Sequence, residues 1–325
     1  MKAIVVSKYG PADVLQLTEG DKPVPGEDQV LVKVHAASIN TADLTYGGAL
    51  LVRLLGGISK PKDTRIGKDL AGVVEAVGSK VTQFKPGDEV FGACMGSFAE
   101  YAITHEHNLV LKPSNSTFEE AAAFPVAAIT ALQGLRDFGK IQTGQKVVIY
   151  GASGAVGTFA VQIARAFGAE VTAVCHTHNL DMVRSIGATH VIDYTHDDFT
   201  RNGQKYDLIL GINGYHPIGD YRRSLTNQGR FVLVGADHTH AVGAIFQAML
   251  LGPLMSRKEG QTLGFMGIAK IKQSDLEALK ELLEARKVIP VIDRRYTLSE
   301  AAEAARYLES GHVRAKVIIT IIGNS

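Results

Sequence analysis

The chain has 325 residues, 46% of them hydrophobic and 21% charged, which suits a globular protein of about two domains at roughly 150 residues each. A formal net charge of +1 excludes a broad basic field for nucleic acid or an anionic membrane surface, so any basic site must be local. The two cysteines, Cys94 and Cys175, exclude a disulfide framework and point to a reducing compartment.

The opening MKAIVVSKYG carries neither a signal-peptide apolar region nor an Arg-rich amphipathic leader, so a cytoplasmic location is expected. Residues 1–110 then read as short strands at 3–7, 29–37, 72–77, 89–91 and 98–103, rich in Val, Ile and Phe. Pro23-Val24-Pro25-Gly26 and Lys85-Pro86-Gly87-Asp88 are turn signals between them, because Pro fixes φ and Gly accepts positive φ. Many short strands at this spacing predict a partly open antiparallel barrel or sandwich. Residues 118–131 are Ala-rich and predict one helix, with Ser116 or Thr117 as N-cap.

Strands and helices alternate from there. Strands are expected at 146–150, 170–175, 191–193, 207–210 and 230–234, and helices at 155–167 and 180–186. This alternation predicts a doubly wound parallel sheet of the Rossmann kind, covered on both faces. Gly168 and Gly187 fall just past helix ends, where a left-handed residue is wanted. After residue 267 two amphipathic helices with Ser caps, 274–286 and 299–310, precede a last strand at 315–322. That tail is too short to fold alone, so it is expected to return to the first domain. The boundaries are 1–127 and 267–325 for a β-rich domain, and 128–266 for the dinucleotide-binding domain. The apolar patch at 241–255 is shorter than the roughly 20 residues a membrane span needs and is broken by Gly243, Gly252 and Pro253, so no membrane span is expected.

The sharpest motif is Gly151-Ala152-Ser153-Gly154-Ala155-Val156-Gly157, placed between a buried strand and a helix. Gly154 lets the backbone approach a pyrophosphate, Gly157 lets helix and strand pack, and the helix N-terminus faces phosphates with unpaired N–H groups. Ala152 stands where the usual first glycine would be. An NAD-selective site places Asp or Glu about 20 residues on to hold the ribose 2′-hydroxyl. Here the next strand runs into His176-Thr177-His178-Asn179, with no carboxylate, which favours NADP(H). Histidines in place of Arg would make that affinity fall as pH rises through about 6–7.

Together with Gly67-Lys68-Asp69-Leu70-Ala71-Gly72, Gly78, Pro86-Gly87-Asp88 and Gly187-Ala188-Thr189-His190-Val191-Ile192-Asp193-Tyr194, this turn resembles the medium-chain dehydrogenase/reductase superfamily. The resemblance covers essentially the whole chain and points to the zinc-independent quinone oxidoreductase branch. It implies a GroES-like catalytic domain built from both chain ends, a Rossmann domain between them, and an active site in the cleft. At the metal positions of zinc-using relatives this chain has Asn40, Lys68-Asp69 and roughly Val126, and the Cys-rich structural-zinc loop is missing. An amide, an ammonium and an isopropyl group do not make a zinc site, so no metal is expected. His176/His178 and His238/His240 are the closely paired histidines, and both pairs read as loops.

Without a Lewis acid, oxidising an unactivated alcohol is hard, whereas a quinone or α,β-unsaturated carbonyl delocalises incoming charge itself. By resemblance, Asn40 orients a carboxamide or carbonyl, Tyr46 donates a hydrogen bond or proton, and Asp43 fixes local structure. Thr130, Gly151, Ser153, Gly154, Ala155, Val156, Gly157, His176, His178, Tyr194, Gly235 and Lys316 are the expected cofactor contacts. Residues 264–267 are expected near the nicotinamide end. Ala315 replaces the usual Gly before Lys316. An enoyl-thioester reductase is the alternative, with Arg53, Lys60, Lys62, Arg65 and Lys68 as its basic groove. A non-catalytic NADPH-binding interaction protein is a further one. A homodimer is expected, and the apolar stretches 50–55 and 244–255 would line a substrate pocket or a dimer seam.

Overall fold

The computed structural model describes residues 1–47, 61, 64–236, 240–256 and 260–322, without the side chains of 45–47 and 241. Residues 50–55, with Arg53, together with Lys60, Lys62, His238 and the Tyr46 side chain, therefore lie outside the described residues. Two compact units are present, Met1–Ala127 with Ile271–Arg286 and Pro290–Ser325, and Ala128–Lys270 with Lys287–Ile289. Residues 267–270 and 287–289 thus cluster with the second unit, where the boundary expectation had given them to the first. Side chains explain this: Gln133 exchanges two hydrogen bonds with Lys270, and Gln162 does the same with Ile289.

In chain order the strands of the amino-terminal part are β1 (Lys2–Val6), β2 (Leu15–Glu19), β3 (Gln29–Ile39), β4 (Asp69–Val77), β5 (Glu89–Ala93), β6 (Tyr101–His105) and β7 (Leu109–Leu111). The single helix expected at 118–131 is two, α1 (Phe118–Ala122) and α2 (Pro125–Gln133). Pro125 causes the break, since it has no N–H and disfavours helical geometry in the residue before it, yet is well placed as the first residue of a new helix. Thr117 caps α1 in a reciprocal capping box with Glu120.

The second unit follows with β8 (Lys146–Tyr150), α3 (Ala155–Ala166), β9 (Glu170–Cys175), α4 (Leu180–Ser185), β10 (His190–Asp193), β11 (Tyr206–Gly211), α5 (Ile218–Ser224), β12 (Leu225–Leu233) and β13 (Thr262–Phe265). Its six strands are ordered β10-β9-β8-β11-β12-β13, all parallel. The chain winds outward one way from β8 and the other way from β11, so the topological switch lies between those two strands. That is the doubly wound Rossmann arrangement, whose ligands bind beyond the carboxyl ends of the strands at the switch. Strands β8, β9 and β11 are buried on both faces, which explains their continuous Val, Ile and Leu runs.

Helix α6 (Gln273–Glu284), β14 (Ile292–Thr297), α7 (Ala301–Glu309) and β15 (Lys316–Thr320) complete the first unit. The Ser caps expected for these helices are absent: α6 starts after Lys272 without a side-chain cap, and Thr297 forms the capping box with Glu300 ahead of α7. The first unit's sheet runs β14-β15-β3-β4-β5-β7, with β6 also on β3. It is antiparallel except for β14 and β15, which are parallel because α7 carries the chain back between them. The last strand thus sits directly against β3. Among the described residues no helix is long and apolar enough to cross a membrane.

Candidate active site and nucleotide turn

In the second unit, the turn after β8 is dictated by its glycines. Gly151 has φ +90, and a Cβ there would meet the Asn213 amide at 2.8 Å. A Cβ on Gly157 would lie 2.1 Å from the Gly151 carbonyl oxygen, so only glycine lets α3 pack this closely on β8. Gly154 differs. It is the N-cap of α3 in an ordinary extended conformation, without a side-chain cap, and a Cβ added there would meet only the Gly151 oxygen, at 3.6 Å. Nothing in the protein demands glycine at this position, so the space it leaves open suits a close-lying ligand at a helix N-terminus, which is how a dinucleotide pyrophosphate is held. The residues present fit that group.

At the ends of β8, β9 and β10 the structure brings together four of the expected residues, Ser153, His176, His178 and Tyr194. Ser153 Oγ accepts from Asn179 Nδ2 at 3.1 Å. The rings of His176 and His178 stack with centroids 4.9 Å apart, and Tyr194 sets its ring edge-on to His176 at 5.9 Å. His176 Nδ1 accepts from the His178 amide at 3.3 Å. Thr130 lies on α2, and Gly235 follows β12, its amide reaching the Gly211 oxygen at 3.3 Å. One neighbour was not weighed in the sequence: Asp193, at the end of β10, accepts hydrogen bonds from the hydroxyls of Thr177 and Thr195. The bond from Thr177 chiefly holds its carboxyl down to about 2, so it is ionised at neutral pH. The region beside the histidines is therefore not free of carboxylates. Its signal lay in the Gly187–Tyr194 motif, one strand further on than the rule about 2′-hydroxyl carboxylates directs attention.

In the first unit a buried polar cluster joins segments far apart in sequence. Asp69 Oδ2 accepts from Ser38 Oγ at 2.6 Å, Asn40 Nδ2 at 2.8 Å and Lys316 Nζ at 3.3 Å, while its Oδ1 accepts from the Val126 amide at 2.8 Å. Lys316 Nζ also donates to Asn40 Oδ1 at 2.8 Å. Asp43 Oδ2 accepts from the Asn40 amide at 2.8 Å, and Lys68 Nζ stands 3.6 Å from Asp43 Oδ1 while donating to the Ala42 oxygen at 2.6 Å. Ser38, Asp69 and Lys316 are fully buried, Asp43 and Asn40 nearly so. Burial pushes the Asp43 carboxyl up to about 6, against the pull of Lys68. Burial likewise lowers the Lys316 ammonium, opposed by Asp69 and Asp43.

The cluster fixes the Asn40 amide in one orientation. Its oxygen faces an ammonium and its nitrogen faces carboxylates, so the flipped amide would set like groups against each other. Lys316, expected beside the cofactor, is placed with its ammonium enclosed by Asn40 and Asp69. The segments at the family's metal positions do converge, but an ammonium stands on the Asn40 oxygen where a cation would bind. These residues do not fit zinc. Among the described residues no three His, Cys, Asp or Glu side chains come together as a metal site.

Comparison with known proteins agrees with both units. The alcohol dehydrogenase GroES-like domain family matches residues 26–114, and the family described as zinc-binding dehydrogenase matches residues 186–319. A chloroplastic quinone-oxidoreductase homolog of Spinacia oleracea is 34% identical over 98% of this chain and 98% of its own. A chloroplastic NADPH-dependent alkenal/one oxidoreductase of Arabidopsis thaliana is 33% identical over 98% of this chain and 79% of its own. The solved quinone oxidoreductase of Coxiella burnetii has a TM-score of 0.84 at 28% identity, over 99% of both chains. A Rossmann unit and a GroES-like unit on one chain define a dehydrogenase/reductase of the medium-chain type. This chain belongs to the medium-chain dehydrogenase/reductase superfamily, in its quinone oxidoreductase-like branch of NAD(P)H-dependent oxidoreductases.

Proposed function

We propose that this chain is an NADPH-dependent reductase that delivers hydride to quinones or α,β-unsaturated carbonyls without zinc. The observation that carries it is the Lys316 ammonium on the Asn40 oxygen, with Asp69 and Asp43 around them. A donor set of amide, carboxylates and ammonium has no Lewis acid to stabilise an alkoxide, so the acceptor must carry its own electron sink.

When bound, NADPH supplies the hydride from its nicotinamide. Gly151, Ser153, Gly154, Ala155, Val156 and Gly157 would hold the pyrophosphate against the α3 N-terminus, with Thr130 and Gly235 toward the nicotinamide and His176, His178 and Tyr194 toward the adenosine. Asn40 and Tyr46 would orient the acceptor and offer hydrogen bonds as charge develops on its oxygen, and Asp43 would fix the Asn40 segment. Lys316 is assigned a positioning role through Asn40 in place of direct cofactor contact. A cytoplasmic homodimer is proposed, burying exposed Phe246, Met249, Leu250 and Leu254, and sedimentation of the purified chain tests it.

Stopped-flow oxidation of NADPH, beside NADH, against a panel of quinones, enones and enoyl thioesters tests the activity. Turnover with quinones or enones is expected. A panel on which only enoyl thioesters react would favour the thioester reductase, and no oxidation at all would favour a binding protein.

A further inference from the structure

Two acceptors and two occupied hydroxyls beside the nucleotide turn have no role in the assignment above. Asp193 leaves the sheet at the end of β10, in register with Cys175 at the end of β9, where the turn Thr177–Asn179 begins two residues later. Its Oδ2 takes the Thr177 hydroxyl, and its Oδ1 takes the Thr195 amide at 3.0 Å and hydroxyl at 2.7 Å. Both hydroxyls that could donate to a phosphate are thereby committed to a carboxylate. In the same turn Asn179 gives its Nδ2 to Ser153, while its Oδ1 is buried with no hydrogen-bond partner. A buried acceptor left without a donor marks a place where a donor is missing. A third acceptor, His176 Nδ1, already receives the His178 amide. The group that would satisfy this acceptor-rich edge is a sugar hydroxyl, a donor, and not a phosphate, which only accepts.

We infer that Asp193 sets the choice of carrier at the ribose 2′-position, accepting a free 2′-hydroxyl and opposing a 2′-phosphate, so that the chain takes NADH as well as NADPH. The inference rests on the proposal that residues 151–157 and 176–178 hold the dinucleotide. Part of the carboxylate's role is structural, since Oδ1 caps the turn to Thr195; Oδ2 serves no backbone group and is the atom available for exchange. A ribose hydroxyl replaces the Thr177 hydroxyl on Oδ2, whereas a phosphate brought to Thr177 must either leave that hydroxyl on Asp193 or set two anions face to face. A carboxylate next to a dianionic phosphate is unfavourable even at a partly exposed position.

Calorimetric titration of the full chain without cofactor, using ADP-ribose and 2′-phospho-ADP-ribose as probes, tests this independently of turnover. The wild-type chain is expected to bind both. Asp193→Asn, which keeps an acceptor oxygen for the Thr195 amide, is expected to tighten 2′-phospho-ADP-ribose about fivefold and weaken ADP-ribose by about as much, the scale of one exposed charge interaction. Thr177→Val, which frees Oδ2 while keeping the charge, is expected to tighten ADP-ribose selectively. Affinities for the two probes that move in parallel in both variants would reduce Asp193 to a turn cap and overturn the inference while leaving the dinucleotide site intact. Failure of the wild-type chain to bind either probe would overturn the dinucleotide site itself and the inference with it.

Discussion

The ammonium of Lys316 donates to the side-chain oxygen of Asn40 at 2.8 Å, joining residues 276 positions apart. The same ammonium is 3.3 Å from Asp69, and both partners of that ion pair are fully buried. A buried pair is weak evidence of net stabilisation, but removing one member strands the other charge in an apolar surrounding. Lys316→Met is therefore expected to destabilise the first unit by about 3–5 kcal/mol. Adding Asp69→Asn to it should restore part of that loss, because the stranded charge goes too. Urea unfolding of the single and double variants measures the coupling, and additive losses would show that the pair is not one energetic unit.

Asp43 gives the cluster a pH dependence of definite sign. Its carboxyl is raised to about 6 by burial, so in the window between about 4 and 6 the folded chain holds a proton that the unfolded chain has released. The contribution of Asp43 to folded-state stability is then expected to rise as pH falls from about 6 towards 4, opposite in sign to that of carboxyls held down by their partners, such as Asp88 and Asp193. Melting temperatures of the wild type and Asp43→Asn across that window should isolate it: the wild type is expected to gain on the variant as pH falls from about 6 to 4, and a constant difference would overturn the assignment. Asp193, held near 2 in the folded chain, takes up its proton earlier when unfolded and so adds a slope of the opposite sign toward pH 4, which is common to the wild type and Asp43→Asn and cancels between them.

Two glycines of the nucleotide turn should separate folding from binding. Gly157→Ala places a Cβ 2.1 Å from the Gly151 oxygen and is expected to cost about 3 kcal/mol or more, by the mechanism of forced overpacking. Gly154→Ala meets only the Gly151 oxygen at 3.6 Å, so its melting temperature should match the wild type. Its methyl group enters the space left for a pyrophosphate, and affinity for NADPH should fall at least about tenfold, roughly 1.4 kcal/mol. An unchanged affinity would place the pyrophosphate elsewhere.

The ammonium on Asn40 also bears on metals. Purified protein is expected to contain no stoichiometric zinc by elemental analysis, and prolonged treatment with a strong chelator should leave the NADPH oxidation rate unchanged. Loss of activity on chelation, restored by added zinc, would contradict the proposed reaction.

How much of this was legible depended on the distance over which each signal acts. The glycine turn is local: Gly151, Gly154 and Gly157 act within one strand-turn-helix unit, and the apolar runs of β8, β9 and β11 announce a sheet buried on both faces. Helix caps were legible in part: Thr117 and Thr297 each precede a Glu by three residues, and Ser299 lacks that partner, but Ser274 has Glu277 three residues on and still falls inside α6, which begins at Gln273. Pro125 was a visible break inside an Ala-rich run whose helical propensity overshadowed it. The polar cluster was a different matter. Asn40, Lys68 and Asp69 could be aligned with metal positions, but nothing in the spacing says that Lys316 reaches them, because that depends on β15 docking on β3. Asp193 was hidden likewise, its contact to Thr177 arising from the lateral pairing of β10 with β9.

That docking of β15 on β3 also governs the order in which the molecule can be completed. Every described strand of the second unit has been translated by residue 265, so its sheet is able to close once that segment clears the ribosome, ahead of the last strand of the first unit. The first unit begins the chain but waits for the final strand, and until Lys316 emerges Asp69 has no cation of its own to be buried with. A ribosome stalled before residue 316 would hold a finished Rossmann sheet tethered to an unsealed partner, and quality-control proteases would be expected to trim such a chain from its amino-terminal side.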